Sequence, residues 1–230
     1  MRLGQREPFG ETMGSLGWNR LICNEFHLRH IVTFVTYCAG PIQPNNERED
    51  DMLVEKIHHV AYRCRDAKET VDFYRDILDM ELVGAIAEDK VPSTKAPDPY
   101  MHIFLDAGAG SILAFFELPN SPPQGRDPNT PEWVQHIAFQ VGSIDALEQV
   151  KAKAEAAGIE VVGPTDHDIF KSIYFFDPSG HRLELAAWTT TPEVLARLKA
   201  VAPAMIAEWA ETKTPPRHAA WLHEKEFGAH

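Results

Sequence analysis

The sequence predicts an α+β fold built from two copies of one βαβββ module. Three observations carry that prediction. The segment His59-Val60-Ala61-Tyr62-Arg63-Cys64 returns 77 residues later as His136-Ile137-Ala138-Phe139-Gln140-Val141, in the order His, β-branched, Ala, aromatic, polar, small apolar. Both copies alternate with period two, as half-buried strands do. Each is followed by a capped, helix-period stretch and then by a short strand ending in Val-Gly, Leu82-Val83-Gly84 and Val161-Val162-Gly163.

The elements follow in order. Asp66 is a helix N-cap with Glu69 three residues on, so a helix is predicted over 67–78 with Val71, Tyr74 and Leu78 as its apolar stripe. Two strands close the first module, 101–105 and 111–118, split by Asp106-Ala107-Gly108-Ala109-Gly110. A Pro-rich linker covers 119–131. The second module has Ser143 as cap and Gly158 as stop around a helix over 144–157, then strands at 172–176 and 182–187 around Asp177-Pro178-Ser179-Gly180. The predicted organisation is therefore module one over 54–118, the linker, module two over 132–190, and a helical segment and tail over 191–230, interrupted near Pro203 and suited to capping a sheet or a partner subunit.

Residues 1–52 read differently. They lack sustained periodicity and end in the polar run 43–51, so a loose extension or an upstream reading of the start codon is expected. The apolar stretch 31–39 begins too far from the N-terminus, behind Glu7, Glu11 and Glu25, for a secretory leader.

Composition narrows the function. In 230 residues, 34 acids against 22 bases give a net charge of −12, which repels phosphate backbones and makes nucleic acid an unexpected partner. No run of about 18 apolar residues exists to span a membrane. Three cysteines, Cys23, Cys38 and Cys64, cannot all pair and form no C-x-x-C, so free thiols in the cytoplasm are expected. The expected partners are a small-molecule substrate and a second copy of the chain.

Alternation puts His59, Ala61 and Arg63 on one face and Val60, Tyr62 and Cys64 on the helix side. His136 occupies the matching place in the repeat. His58 points to the other face and is set aside. Leu113, Phe115 and Glu117 share a face of the first closing strand, as do Arg182, Glu184 and Ala186 of the second. Glu117 and Glu184 are acids in apolar surroundings, where a carboxylate needs a partner. If the sheets curve toward each other, His59, Glu117, His136 and Glu184 converge. Imidazole with carboxylate suits Fe(II), Mn(II), Ni(II), Zn(II) or Co(II). Phe115, Phe139 and Phe175 are expected to make the pocket apolar.

These paired modules, each with a His at its head and a Glu on its closing strand, resemble the vicinal oxygen chelate superfamily of glyoxalase I, extradiol ring-cleaving dioxygenases, epimerases and the fosfomycin and bleomycin resistance proteins. The resemblance covers about residues 54–190. It implies a curved, half-open barrel around one metal ion chelated by two substrate oxygens. The second module resembles the extradiol signature closely: His167, five residues, Ile173-Tyr174, Asp177-Pro178-Ser179-Gly180, three residues, Glu184. That implies an Fe(II) ligand set of His59, His136 and Glu184, with Tyr174 and His167 as donors beside substrate and oxygen, and cleavage of a small catechol. The first module pulls toward glyoxalase I. Glu117 there resembles a fourth ligand or an acid–base group, and Arg63 resembles the arginine that meets the glutathione carboxylate. Departures stand at Cys64, Asp79 and Ser121. The alternatives are a glyoxalase-I-like lyase or isomerase holding Ni or Zn, and a metal-free sequestering protein of the bleomycin-resistance kind.

Overall fold

The computed structural model describes residues 53–223. The expectations for residues 1–52, and for the tail beyond 223, lie outside the described residues. The first module runs β1 (His59–Cys64), α1 (Ala67–Leu78), β2 (Leu82–Lys90), β3 (Pro97–Asp106) and β4 (Ile112–Glu117). The second runs β5 (Ile137–Gln140), α2 (Ile144–Ala156), β6 (Val162–Asp166), β7 (Phe170–Phe176) and β8 (Arg182–Trp188). α3 (Pro192–Thr212) and a 3₁₀ turn (Ala220–His223) follow. The strand orders are β1-β4-β3-β2 and β5-β8-β7-β6, the same topology twice. In each sheet the first strand pairs parallel with the last, and the other pairs are antiparallel.

Local chemistry fixes the helices. The Asp66 side chain accepts from Glu69 N at 2.7 Å, and the Ser143 hydroxyl accepts from Ala146 N at 3.1 Å, each satisfying one orphan N–H of a first turn. Glu69 completes no capping box, because its carboxylate pairs with Arg65. α3 differs from expectation. It continues through Pro203, and none of its residues is buried. Losing one N–H···O bond is tolerated where no packing forces the turn into register.

One hydrophobic core serves both modules. It joins Leu113 and Phe115 of the first sheet, Ile173, Phe175, Leu183 and Leu185 of the second, and α1 and α2 between them. The α1 side chains bridge the sheets: Tyr74 lies 5.2 Å from Phe115, and Phe73 lies 6.3 Å from Phe175, ring centre to ring centre. The faces toward this core are those of Val60, Tyr62 and Cys64 on β1 and of Ile137 and Phe139 on β5. The histidine-bearing faces are the other ones, left largely to solvent at Ala61, Ala138 and Gln140.

The modules also meet at a polar joint. Asp177, 5% exposed, accepts from Ser179 N (2.9 Å), His181 N (2.8 Å) and the Tyr74 hydroxyl (3.1 Å). His181 Nε2 lies 2.6 Å from the Arg63 carbonyl, and Arg65 N donates to the Ser179 hydroxyl. The Asp-Pro-Ser-Gly turn is thus fastened to both α1 and β1. Burial pushes the Asp177 carboxyl above its ordinary value, against the pull of His181 and its backbone donors.

Candidate active site

The second sheet assembles the richer group. Cross-strand register sets Ala138 beside Glu184, and Glu184 beside Tyr174, so the face that begins at His136 continues through Glu184 to Tyr174. His136 Nε2 stands 2.8 Å from Glu184 Oε2. The other carboxylate oxygen accepts from the Ser172 hydroxyl, and from the Tyr174 hydroxyl at 3.0 Å. Tyr174 in turn lies 2.9 Å from His167 Nε2. Glu184 is only 4% exposed, and these three partners are what make a carboxylate tolerable there. Burial, then the Glu184 charge, hold the Tyr174 phenol above its ordinary value, so it is a proton donor at neutral pH. The guanidinium of Arg182 lies over the Tyr174 ring, 4.3 Å from its centre.

The donor set fits one side of a metal site. Two ligands bound cis at about 2.1 Å from an ion stand about 3.0 Å apart, close to the His136–Glu184 separation of 2.8 Å. Tyr174 and Ser172 hold the second carboxylate oxygen and so orient the first, as outer partners of ligands do. Among the described residues, however, no group of three or more His, Cys, Asp or Glu side chains is placed to hold an ion.

The first sheet explains why. His59 is exposed at the start of β1, its Nδ1 2.8 Å from His58 Nδ1. Register pairs Ala61 with Ala114, where the second module pairs Ala138 with Glu184. The position equivalent to Glu184 is therefore Ala114, and Glu117 stands three residues further on. An odd offset flips the face. Glu117 pairs with Cys64 on the helix side, and its Oε2 accepts from Ala67 N at 2.7 Å, at the positive end of α1. The expected meeting of Glu117 with His59 does not occur, nor do His59 and the His136–Glu184 pair converge. Phe115 and Phe139 are corrected too: both face the helices, Phe115 fully buried and Phe139 packed on the core, as is Phe175, so they belong to the interior of the described residues and not to the face that carries His136 and Glu184. Arg63 lies on the His59 face but donates to the Leu118 and Ser121 carbonyls of the linker.

Three residues were given no role by the sequence reading. His102 shares the His59 face of the first sheet, stacked at 3.6 Å on Phe116, with its enclosed Nε2 lacking a hydrogen-bond partner. Burial, then His59, push its imidazole below the ordinary value. The alternation of Met101, Ile103 and Leu105 inward already placed His102 outward. Ser172 and Arg182 were legible by the same alternation, opposite the core residues Ile173 and Leu183.

A cavity of about 590 Å³ opens beside this group, where His136, Arg182 and Phe176 meet the linker and the end of β1. No helix among the described residues is long and apolar enough to cross a membrane.

Known proteins share sequence with this chain. MhqA, a provisionally named ring-cleaving dioxygenase of Bacillus subtilis (strain 168), is 30% identical over 140 residues, 59% of this chain. This chain spans only 41% of MhqA's length. A 2-epi-5-epi-valiolone epimerase of Actinomyces sp. is 29% identical over 145 residues, 56% of this chain and 77% of its own. The crystal structure of a glyoxalase family protein from Enterococcus faecalis is 28% identical with a TM-score of 0.45, covering 59% of this chain and 99% of its own. A family profile matches residues 56–185, more than half the sequence, and on that match this chain belongs to the Glyoxalase/Bleomycin resistance protein/Dioxygenase superfamily.

Proposed function

We propose that this protein is a metal-dependent dioxygenase that cleaves a small catechol-type substrate, with Fe(II) held by His136, Glu184 and the His59 of a second copy. The observation that carries the reading is the chain from His167 through Tyr174 to Glu184 and His136, in which the histidine, the tyrosine and the glutamate of the second-module signature all take part. The chemistry that Fe(II) supplies when bound is acidification of a chelated catechol hydroxyl and transfer of electron density to oxygen. His136 and Glu184 hold the ion. Tyr174, a protonated phenol whose hydrogen rests on Glu184, and His167 behind it can turn their hydrogens toward charge developing on the reacting oxygens once Glu184 Oε1 gives up that bond.

A second copy is invoked because, among the described residues, one chain brings no third ligand to the pair and leaves the needed faces open. Those faces carry exposed apolar residues besides the histidines: Ile86 (48%) beside His102, Val162 (56%) beside Tyr174, and Trp188 (52%) two places past Ala186. Apolar surface of this kind favours a protein contact. In a two-fold dimer each site takes His59 from one copy and the His136–Glu184 pair from the other.

Two measurements test this. The first is iron content with oxygen uptake on catechols; iron-loaded protein that consumes no oxygen with any diol refutes the dioxygenase. The second mixes His59→Ala with Glu184→Gln copies. Each alone should lose metal, and the mixture should recover about a quarter of the sites, one in each mixed dimer. No recovery refutes the shared site. A lyase or epimerase reading is favoured by the Actinomyces relative, with Glu184 then moving a proton beside a chelated carbonyl. Metal binding without oxygen uptake would select it.

A further inference from the structure

We propose that the cavity beside His136 is a carboxylate subsite whose receptor is Arg182, so that the substrate is an aromatic diol bearing an acid group. This deepens the catechol-cleavage reading and rests on it for the diol. The cavity's three arginines, Arg63, Arg126 and Arg182, outnumber its two carboxylates, Asp127 and Glu132, in a chain of net charge −12. Most of those charges already have partners. Arg126 pairs with Glu132 at 2.7 Å and lies over Phe176. Asp127 is bound by the Thr130 hydroxyl and Asn129 N, which hold its carboxyl below the ordinary range. Arg63 is held by two linker carbonyls.

Arg182 is different. Among the described residues its guanidinium makes no hydrogen bond and no ion pair. It lies flat over the Tyr174 ring. A flat guanidinium held by stacking keeps its edge donors in a fixed fork, the geometry that meets a carboxylate with two parallel bonds. A half-buried cation with unused donors, in a cavity sized for a one-ring ligand, calls for an anion. Register places it correctly as well: Arg182 is two residues before Glu184 on the same face, beside Phe176. A ring whose two oxygens approach His136 and Glu184 would carry its acid group toward Arg182.

The test is calorimetric titration of full-length, iron-loaded protein without oxygen. The probes are benzoate, catechol and 3,4-dihydroxybenzoate. In the unmutated protein the dihydroxy acid should bind about 10- to 100-fold more tightly than catechol, the scale of a charge-assisted pair. Arg182→Gln should erase that advantage and abolish benzoate binding. Arg182→Lys, which keeps the charge but not the fork, should retain part of it. Arg197→Gln, on α3 and outside the cavity, removes the same charge and should change nothing. Equal binding of catechol and its acid, or an advantage that survives in Arg182→Gln, overturns the subsite. The underlying reading fails separately. Arg182-dependent benzoate binding with no oxygen uptake on any diol leaves the subsite standing and removes the dioxygenase. Oxygen uptake on neutral catechols with no benzoate binding does the reverse.

Discussion

Asp177→Ala should unfasten the two modules without touching the proposed metal site. The carboxylate accepts from Ser179 N, His181 N and the buried Tyr74 hydroxyl, so its removal strands three donors. Stranded buried donors cost about 1–3 kcal/mol each, and the two in the turn regain some water. The expected loss is about 3–5 kcal/mol, a large share of the ~5–15 kcal/mol that holds an ordinary domain together. Tyr74→Phe removes only one of the three bonds and leaves Asp177 its backbone partners, for a loss of about 1.5 kcal/mol. Urea titration read by tryptophan fluorescence is the assay. With a slope of about 2 kcal/mol per molar, the midpoint should fall by roughly 1.5–2.5 M for Asp177→Ala and by under about 1 M for Tyr74→Phe. The double variant should be scarcely worse than Asp177→Ala alone, because the Tyr74 bond is already contained in that loss. A midpoint within about 0.5 M of the parent for Asp177→Ala, or additive losses in the double variant, would refute the joint.

Other outcomes follow from the same geometry. Asp177→Asn should remove a pH dependence: the folded carboxyl titrates above the ordinary 3.8 because of burial, so the parent loses stability relative to the variant as pH rises from below 3.8 through the folded value, measured by melting at stepped pH. Glu117→Gln should keep full metal content after dialysis and cost about 0.3–1 kcal/mol of thermal stability, the worth of a charge at a helix N-terminus; a loss of metal would contradict its place on the helix side. Cys64, buried and with its thiol pushed up to about 11 chiefly by burial, should alkylate at least about 100-fold more slowly in the native fold than in urea, read by peptide mass spectrometry.

Much of the fold was legible because local and global signals agree. The caps Asp66 and Ser143, the period-two strands and the Asp-Pro-Ser-Gly turn each specify an element by short-range chemistry, and α1 matches its predicted span. The second-module site was legible for the same reason: Tyr174 and Glu184 stand directly across one hairpin, where register follows from the turn. The first-module site was not. Ala114 and Glu117 both lie on a strand whose faces alternation does define, and the faces were read correctly. What alternation could not supply was how the faces of β4 match those of β1, because the pairing of Cys64 with Glu117 joins strands far apart in sequence. Convergence of His59 with His136 failed on the same point, because long-range packing, not local pattern, decides where two sheets meet.

The bond order around Tyr174 gives the site a direction. A phenol has one hydrogen, and here it is given to Glu184. The bond between Tyr174 and His167 Nε2 must then run the other way, with the imidazole donating, which leaves the bare lone pair of a neutral His167 on Nδ1. The row of groups is polarised end to end, and its polarity is set by the charge on Glu184. Any event that withdraws Glu184 Oε1 as acceptor frees the phenol to turn, and His167 can then change tautomer in response. A change at the carboxylate is thereby written into the protonation pattern of the β6–β7 loop, two side chains away.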